Sequence, residues 1–290
     1  MRTRQHIISD IQFSQRFQQF ATAYQQLTVF QLQSKREAVL NSRTYMDGLL
    51  NVFVDLKASL GAEALENEQA IQFSTLTKNG KAAAVLLTFE TKFSSAVTQA
   101  VFNSFQNYVQ QHTVEPVIGG EVGKSLFTNS FPDQTNYSYY PLHESTTQRE
   151  AVADMSKYLL QFETVTVFTP YFYSLVTQLP IRKTITGNIS IEEHKPSNTK
   201  RFIYEPEGGK ILRFFEVQIF ATLLWQALRE ANLATLGSRV TTLETIQSNT
   251  EGLLSKLSLE QRKQRQYISN KKQRLRLACQ KFRTTKGAYT

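Results

Sequence analysis

The segment Gly119-Gly120-Glu121-Val122-Gly123-Lys124-Ser125 comes nearest to a chemical motif in this chain. It almost matches the phosphate-cradling loop G-x-x-x-x-G-K-[ST], in which backbone amides wrap the phosphates and the lysine reaches the terminal one. The first glycine of that pattern falls on Ile118, a bulky branched residue where the turn must close, and no acidic strand end suited to magnesium follows. A plain strand-to-helix turn is the favoured reading, with a nucleotide-binding enzyme as the alternative. His6, His112, His143 and His194 lie far apart with no ligand spacing, and the single cysteine, Cys279, can supply neither a zinc site nor an internal disulfide. Glu192-Glu193-His194 read as a solvated loop rather than an acid/base pair. No nucleophile, base and orienting acid can be assembled from spacing, and the residues imply no metal and no cofactor.

Charge is more informative than catalysis. The formal net charge is +9, yet residues 261–290 alone hold ten basic residues and no acid, so the remainder of the chain carries a net −1. A neutral body with a basic C-terminal end points to one acidic surface met by one helix end. A coiled-coil adaptor whose basic tip binds nucleic acid or an acidic protein fits the same distribution.

The elements that carry this end are set by proline. All seven prolines lie between Pro116 and Pro206, leaving 115 residues before and 84 after without one. Proline inside a helix costs about 3 kcal/mol, so both ends are free to form long helices. A helix over Arg4 to Ser59 would run roughly 80 Å and one over Lys210 to Lys286 roughly 110 Å. A compact chain of this length has a radius of gyration of only about 19 Å, so such helices must protrude and find burial against each other or a partner. On the first, Phe13, Phe17, Phe20, Tyr24 and Leu27 form a heptad seam read as core packing, the stripe resumes at Met46, Leu49, Phe53 and Leu56, and Gly61 with the polar stretch Glu63 to Glu68 is expected to end the helix. On the last, Leu253 and Leu257 precede Ile268, Leu275 and Phe282.

Between them the texture changes to short apolar runs. Ala82 to Phe89 reads as a buried strand after an Asn79-Gly80 turn, Lys92 to Gln111 as a helix, and Glu115 to Ile118 and Asn136 to Tyr140 as strands. Gln148 to Phe162 reads as a helix and Thr164 to Phe168 as a strand. This alternation predicts a small Rossmann-like α/β domain with a largely parallel sheet, inserted between two long terminal helices that pair as an antiparallel coiled coil. The boundaries are residues 1–60, 70–206 and 210–286. No run of about 18 apolar residues and no apolar leader occurs, so cytoplasmic or matrix-like residence is expected.

Read together, the two ends resemble the gamma subunit of rotary F-type ATP synthases, the central-stalk rotor. Ile7 and Ile11, Gln15 and Gln18, and Ser42-Arg43-Thr44-Tyr45 fall at that family's spacing, with Thr44 where proline is usual. Val165 to Pro180 resembles a diverged form of its late strand and following loop. Tyr204-Glu205-Pro206 is followed by Glu216-Val217-Gln218-Ile219-Phe220, where the family has E-S-Q-x-Y. Arg239 and Thr242 are similar to its basic-x-A-T element, and Leu253-Leu254 through Lys263-Gln264-Arg265-Gln266 to its final heptads. Thr88 to Ser95 replaces the usual S-T-D-R-G-L-C-G-G segment.

The resemblance implies a non-catalytic subunit that couples rotation to conformational change in a ring of catalytic subunits. It implies contact with acidic loops of those subunits through Arg265, Gln266 and Asn270, with Arg239 as a basic shaft residue at the level of the ring's levers. Tyr204 and Glu205 would seat on the membrane ring and the small epsilon-type subunit, and Leu275 and Phe282 would sit in the head's collar as a bearing. The implied partners are the catalytic and non-catalytic head subunits, the epsilon-type subunit and the membrane ring, with no nucleic acid. The implied place is the inner face of an energy-transducing membrane, on the cytoplasmic side or the matrix side of an organelle.

Overall fold

The computed structural model describes residues 4–66, 79–89, 93–142, 149–185, 205 and 208–286. Its elements are α1 (Arg4–Glu66), β1 (Ala82–Leu87), α2 (Ser95–Gln111), β2 (Glu115–Gly119), α3 (Glu121–Ser130), β3 (Ser138–Tyr140), α4 (Arg149–Leu159), β4 (Thr164–Phe172), β5 (Gln178–Ile185) and α5 (Gly208–Lys286). The proline-free ends become helices of 63 and 79 residues. α1 ends at Glu66, within the polar stretch expected to end it, and runs through Gly61 because one interior glycine weakens a helix by only about 1 kcal/mol. Two compact units result, one of Thr28–Thr241 and one of Met1–Leu27 with Thr242–Thr290.

The larger unit is built on a sheet of order β3-β2-β1-β4-β5. The first four strands run parallel, with Val85 opposite both Val117 and Val167, and β5 closes the edge antiparallel. A parallel sheet is covered on both faces, which is why Ala82 to Leu87 reads as a continuous apolar run. Ala84 and Leu86 face one core with Phe102 and Phe105 of α2, Phe127 of α3, and Phe168. Phe105 makes edge contacts to Phe127 and Phe168, with centroids 6.2 and 5.6 Å apart. Ala83, Val85 and Leu87 face the other core. There the cover is α4, through Val152, Met155 and Leu159, together with Met46, Phe53 and Leu56 of α1 and Ile219, Leu224 and Leu228 of α5.

The sequence predicts a loop after Phe168. Instead β4 runs on to Phe172 and turns into β5, with the Tyr173 and Ser174 amides both donating to the Thr177 carbonyl. This hairpin grips α5: a Cβ on Gly237 would lie 2.9 Å from Gln178 Nε2 and 3.1 Å from the Phe172 ring. Phe172 also packs on Leu32, Val39, Leu233 and Leu236. An ion pair fixes the same junction. Arg43 Nε and Nη2 donate to the two Glu230 carboxylate oxygens at 2.6 and 2.9 Å, and Nη2 also reaches the Phe172 carbonyl at 3.4 Å. The Arg43 guanidinium lies 5.1 Å from the Tyr171 ring centre, so one side chain of α1 holds α5 and β4 together.

The β2–α3 turn is closed from inside the protein. Thr88 Oγ1 donates to the Gly119 carbonyl and accepts from the Gly123 amide, both at 2.9 Å. Gly120 has φ +96°, and a Cβ there would sit 2.1 Å from the Thr88 carbonyl oxygen. Only glycine fits both the backbone and the approach.

In the smaller unit α1 and α5 run antiparallel. Gln18 donates to Glu251 at 3.1 Å, Gln25 to Glu244 at 2.7 Å, and Gln247 to Gln25 at 2.8 Å. The buried positions are Ile7, Ser14 and Ala21 on α1 and Leu243, Thr250 and Leu257 on α5, each set seven apart. The aromatic heptad seam read as core packing is therefore not the packed one: Phe13 is 69% exposed, Phe20 54% and Leu27 51%. Two helices approach most closely over small residues, and Ser14 and Ala21 provide that face where a row of phenylalanines cannot.

Two outcomes follow for stability. Arg43→Ala leaves the Glu230 carboxylate buried without its partner and lowers unfolding stability by about 2 to 4 kcal/mol, whereas the pair Arg43→Met with Glu230→Leu recovers most of the loss. Urea titration followed by Trp225 fluorescence reads both. Gly120→Ala costs more than about 2 kcal/mol, because the backbone is strained and the nearest atom belongs to another backbone. Lys124→Ala changes less than about 1 kcal/mol.

Candidate interaction surface

The glycine turn is the first place to look for chemistry, and its geometry leaves no room for phosphate. In a phosphate loop the amides point outward to the ligand. Here the Gly123 amide is taken by Thr88 Oγ1 and the Gly120 amide by the Tyr140 carbonyl at 3.0 Å. Lys124 folds onto the Tyr139 ring, 4.7 Å from its centre. Tyr139 donates to Glu121 Oε2 at 2.6 Å, and burial together with that bond pushes its pKa up to about 12. The nucleotide-binding alternative thus loses its site. Among the described residues no cluster of three His, Cys, Asp or Glu could hold a metal ion. Glu192, Glu193 and His194 lie outside the described residues.

The residues singled out for partner contact fall into separate places. Arg239, expected on the shaft surface, is only 2% exposed, which corrects that expectation. Its surroundings explain why. From Leu233 to Val240 almost every side chain of α5 is buried, because α1 lies against it and the β4–β5 hairpin closes over Gly237. The hairpin was not legible in the sequence, and so neither was the burial of Arg239. Glu205 is exposed, while Tyr204 lies outside the described residues.

Arg265, Gln266, Asn270 and Leu275 come together on the last stretch of α5. All four are exposed, Leu275 to 58%, and so are Tyr267 and Ile268. The side chain of Phe282 lies outside the described residues. α5 leaves its seam at Leu257, and every described side chain from Arg265 to Cys279 is open. Arg262, Lys263, Arg265, Lys271, Lys272, Arg274 and Arg276 are all exposed here. At about 100° per residue they point in every direction around the axis, with no gap wider than about 100°. The apolar Tyr267, Ile268, Leu275 and Leu277 are confined to about half of the circumference, so the charge and not the apolar surface is what runs all round the helix. A groove or a duplex engages one side of a helix, whereas charge on all sides suits a surface that encloses it.

Comparison with known proteins agrees with this geometry. The family model described as ATP synthase matches residues 3–268. The ATP synthase gamma chain of Wolbachia sp. subsp. Brugia malayi is 23% identical over 248 residues, covering 81% of this chain and 83% of that one. The ATP synthase gamma chain of Pelagibacter ubique is 20% identical over 265 residues, covering 86% and 88%. A chain of the Tetrahymena thermophila mitochondrial ATP synthase central stalk and c-ring superposes with a TM-score of 0.57 at 13% identity, over 78% of this chain and 98% of that one, and so shares its fold. The two long helices and the inserted sheet are the features in common. These matches set the coiled-coil adaptor aside, and the chain belongs to the ATP synthase gamma-chain family.

Proposed function

We propose that this chain is the central-stalk rotor subunit of an F-type ATP synthase or ATPase, transmitting rotation to the ring of catalytic subunits and catalysing nothing itself. The observation that carries this reading is the exposed end of α5, basic on all sides, in a chain of the gamma family. Arg265, Gln266 and Asn270 contact acidic loops of the head subunits, and Leu275 and Phe282 turn in the collar beyond them. Tyr204 and Glu205 belong to the foot that meets the epsilon-type subunit and the membrane ring. Exposed charges suit a moving contact, because ion pairs at a surface form and break without deep traps. An asymmetric shaft meets each member of the ring differently, and only such unequal contacts shift the members between conformations. Driving one member from about 1:99 to 99:1 requires about 5.5 kcal/mol of differential interaction.

Among the described residues no helix is long and apolar enough to cross a membrane. As that rotor subunit, the chain would be held peripherally at the inner face of an energy-transducing membrane by its partners.

Isolation of the native assembly through a tag on this chain is expected to bring down catalytic and non-catalytic head subunits together. Recovery of the chain apart from any hexameric ATPase sinks the rotor reading. Within the assembly, Arg265→Glu combined with Lys271→Glu weakens binding to the head by about tenfold at low salt. The difference narrows as ionic strength rises toward about 1 M, where the screening length falls to about 3 Å. Equilibrium binding of full-length chain to the assembled head at two salt concentrations measures it.

A further inference from the structure

Within the larger unit, α1 and α5 leave a groove of about 740 Å³ between them. Asn41, Ser42 and Tyr45 line it from α1 together with Ala38, and Thr222, Trp225 and Arg229 line it from α5. The spacings are i, i+3, i+4, i+7 and i, i+3, i+7, so each helix gives one face to the groove. The open stretch is short. Two helical turns span roughly 10 Å, and beyond each end the helices are tied together. One turn past Ala38 and Arg229, Lys35 Nζ donates to Asn232 Oδ1 at 3.0 Å, and two turns past Tyr45 and Thr222 the Phe53 and Phe215 rings stack with centroids 6.4 Å apart. A partner helix lays its anchors along several turns, whereas small-molecule sites enclose about 300 to 1,000 Å³. The groove has the dimensions of the second kind.

The lining specifies the ligand. Trp225 is half-buried, packed in part on the core, and Tyr45 of the other helix is exposed. Two aromatic side chains, one from each helix, suit a flat apolar body. Arg229 is the only charged residue of the lining. Among the described residues it has no ion-pair or hydrogen-bond partner, and the adjacent Glu230 is already held by Arg43. A guanidinium meets a carboxylate through two parallel hydrogen bonds, and the Trp225 indole N–H, the Ser42 hydroxyl and the Asn41 amide add further donors. We propose that this groove binds a small organic anion, with a flat aromatic body between Trp225 and Tyr45 and a single carboxylate or similar oxyanion on Arg229. A nucleoside triphosphate fits less well, because one guanidinium cannot balance several negative charges. The site stands on its lining alone and is independent of the rotor reading.

Trp225 is the single tryptophan of the chain, so the protein has one indole N–H resonance and it reports from the groove. The probe is naphthoate, with naphthamide as its neutral counterpart, titrated into the full-length chain. Naphthoate is expected to shift that resonance with a dissociation constant of about 1 mM or tighter, and naphthamide to bind at least about tenfold more weakly. Arg229→Gln exchanges one exposed helix former for another, so melting temperature is unchanged. In that variant naphthoate is expected to fall to the affinity of naphthamide. In the native assembly, photolysis of benzoylbenzoate is expected to label groove residues of this chain, and naphthoate to suppress the label. An indole resonance unmoved at about 10 mM naphthoate, equal affinity for acid and amide, or full affinity in Arg229→Gln overturns the inference. So does an assembly in which the groove takes up no label, because another subunit then fills it.

Discussion

Everything in the larger unit depends on one requirement: a parallel sheet must be buried on both faces. α2 and α3 cover one face, and the other is covered by α4 with the middle of α1 and the first part of α5. The long helices are thus not appendages docked onto a finished domain. Met46, Phe53, Ile219 and Leu224 belong to the same core as Val85, Val117 and Val167. Separating these helix segments from the sheet would expose that core, so within the larger unit they and the sheet fold as one packed body.

On this packed face sits a polar device. Glu230 is 3% exposed and is held by two hydrogen bonds from Arg43. Such a pair adds little net stability, since two charges have left water. Its consequence is register. A slip of α1 along α5 by one turn moves the guanidinium about 5.4 Å from the carboxylate, and a buried unpaired carboxylate is far more costly than a shifted leucine. The Phe172 carbonyl and the Tyr171 ring extend the same constraint to β4. Apolar seams with heptad spacing tolerate neighbouring registers, and this ion pair does not.

The proline gap made the two helices legible, because absence of a breaker over such lengths has a direct structural meaning. The first strand was equally plain, since Ala-Ala-Ala-Val-Leu-Leu has no polar face to give to water. β5 was hidden for the opposite reason: Pro180, Arg182 and Lys183 are the residues an open edge strand tolerates, and they resemble loop composition. Missing that strand also hid the cover over Gly237 and the burial of Arg239. The aromatic seam was found at the right spacing and read as core packing, whereas Phe13, Phe20 and Leu27 are exposed. Hydrophobic period identifies an apolar face but not whether it is buried, and α1 has two such faces. The basic end was legible as charge, while its all-round distribution on a lone helix required knowing that the seam stops at Leu257.

The two faces of α1 also explain how a shaft can be both stable and asymmetric. If the aromatic row packed on α5, the pair would be tighter and would keep fewer apolar side chains outside, Leu253 and Leu259 among them. Assigning the internal seam to Ile7, Ser14 and Ala21 leaves burial for α1 modest and keeps the larger apolar area outside. By roughly 25 cal/mol per Å² of apolar surface, that area is available to whatever surrounds the pair rather than to the pair itself. Stability of the helix pair is thereby held below what burial of the whole row would give, and because the row lies on one face, the exposed apolar area is asymmetric around the pair.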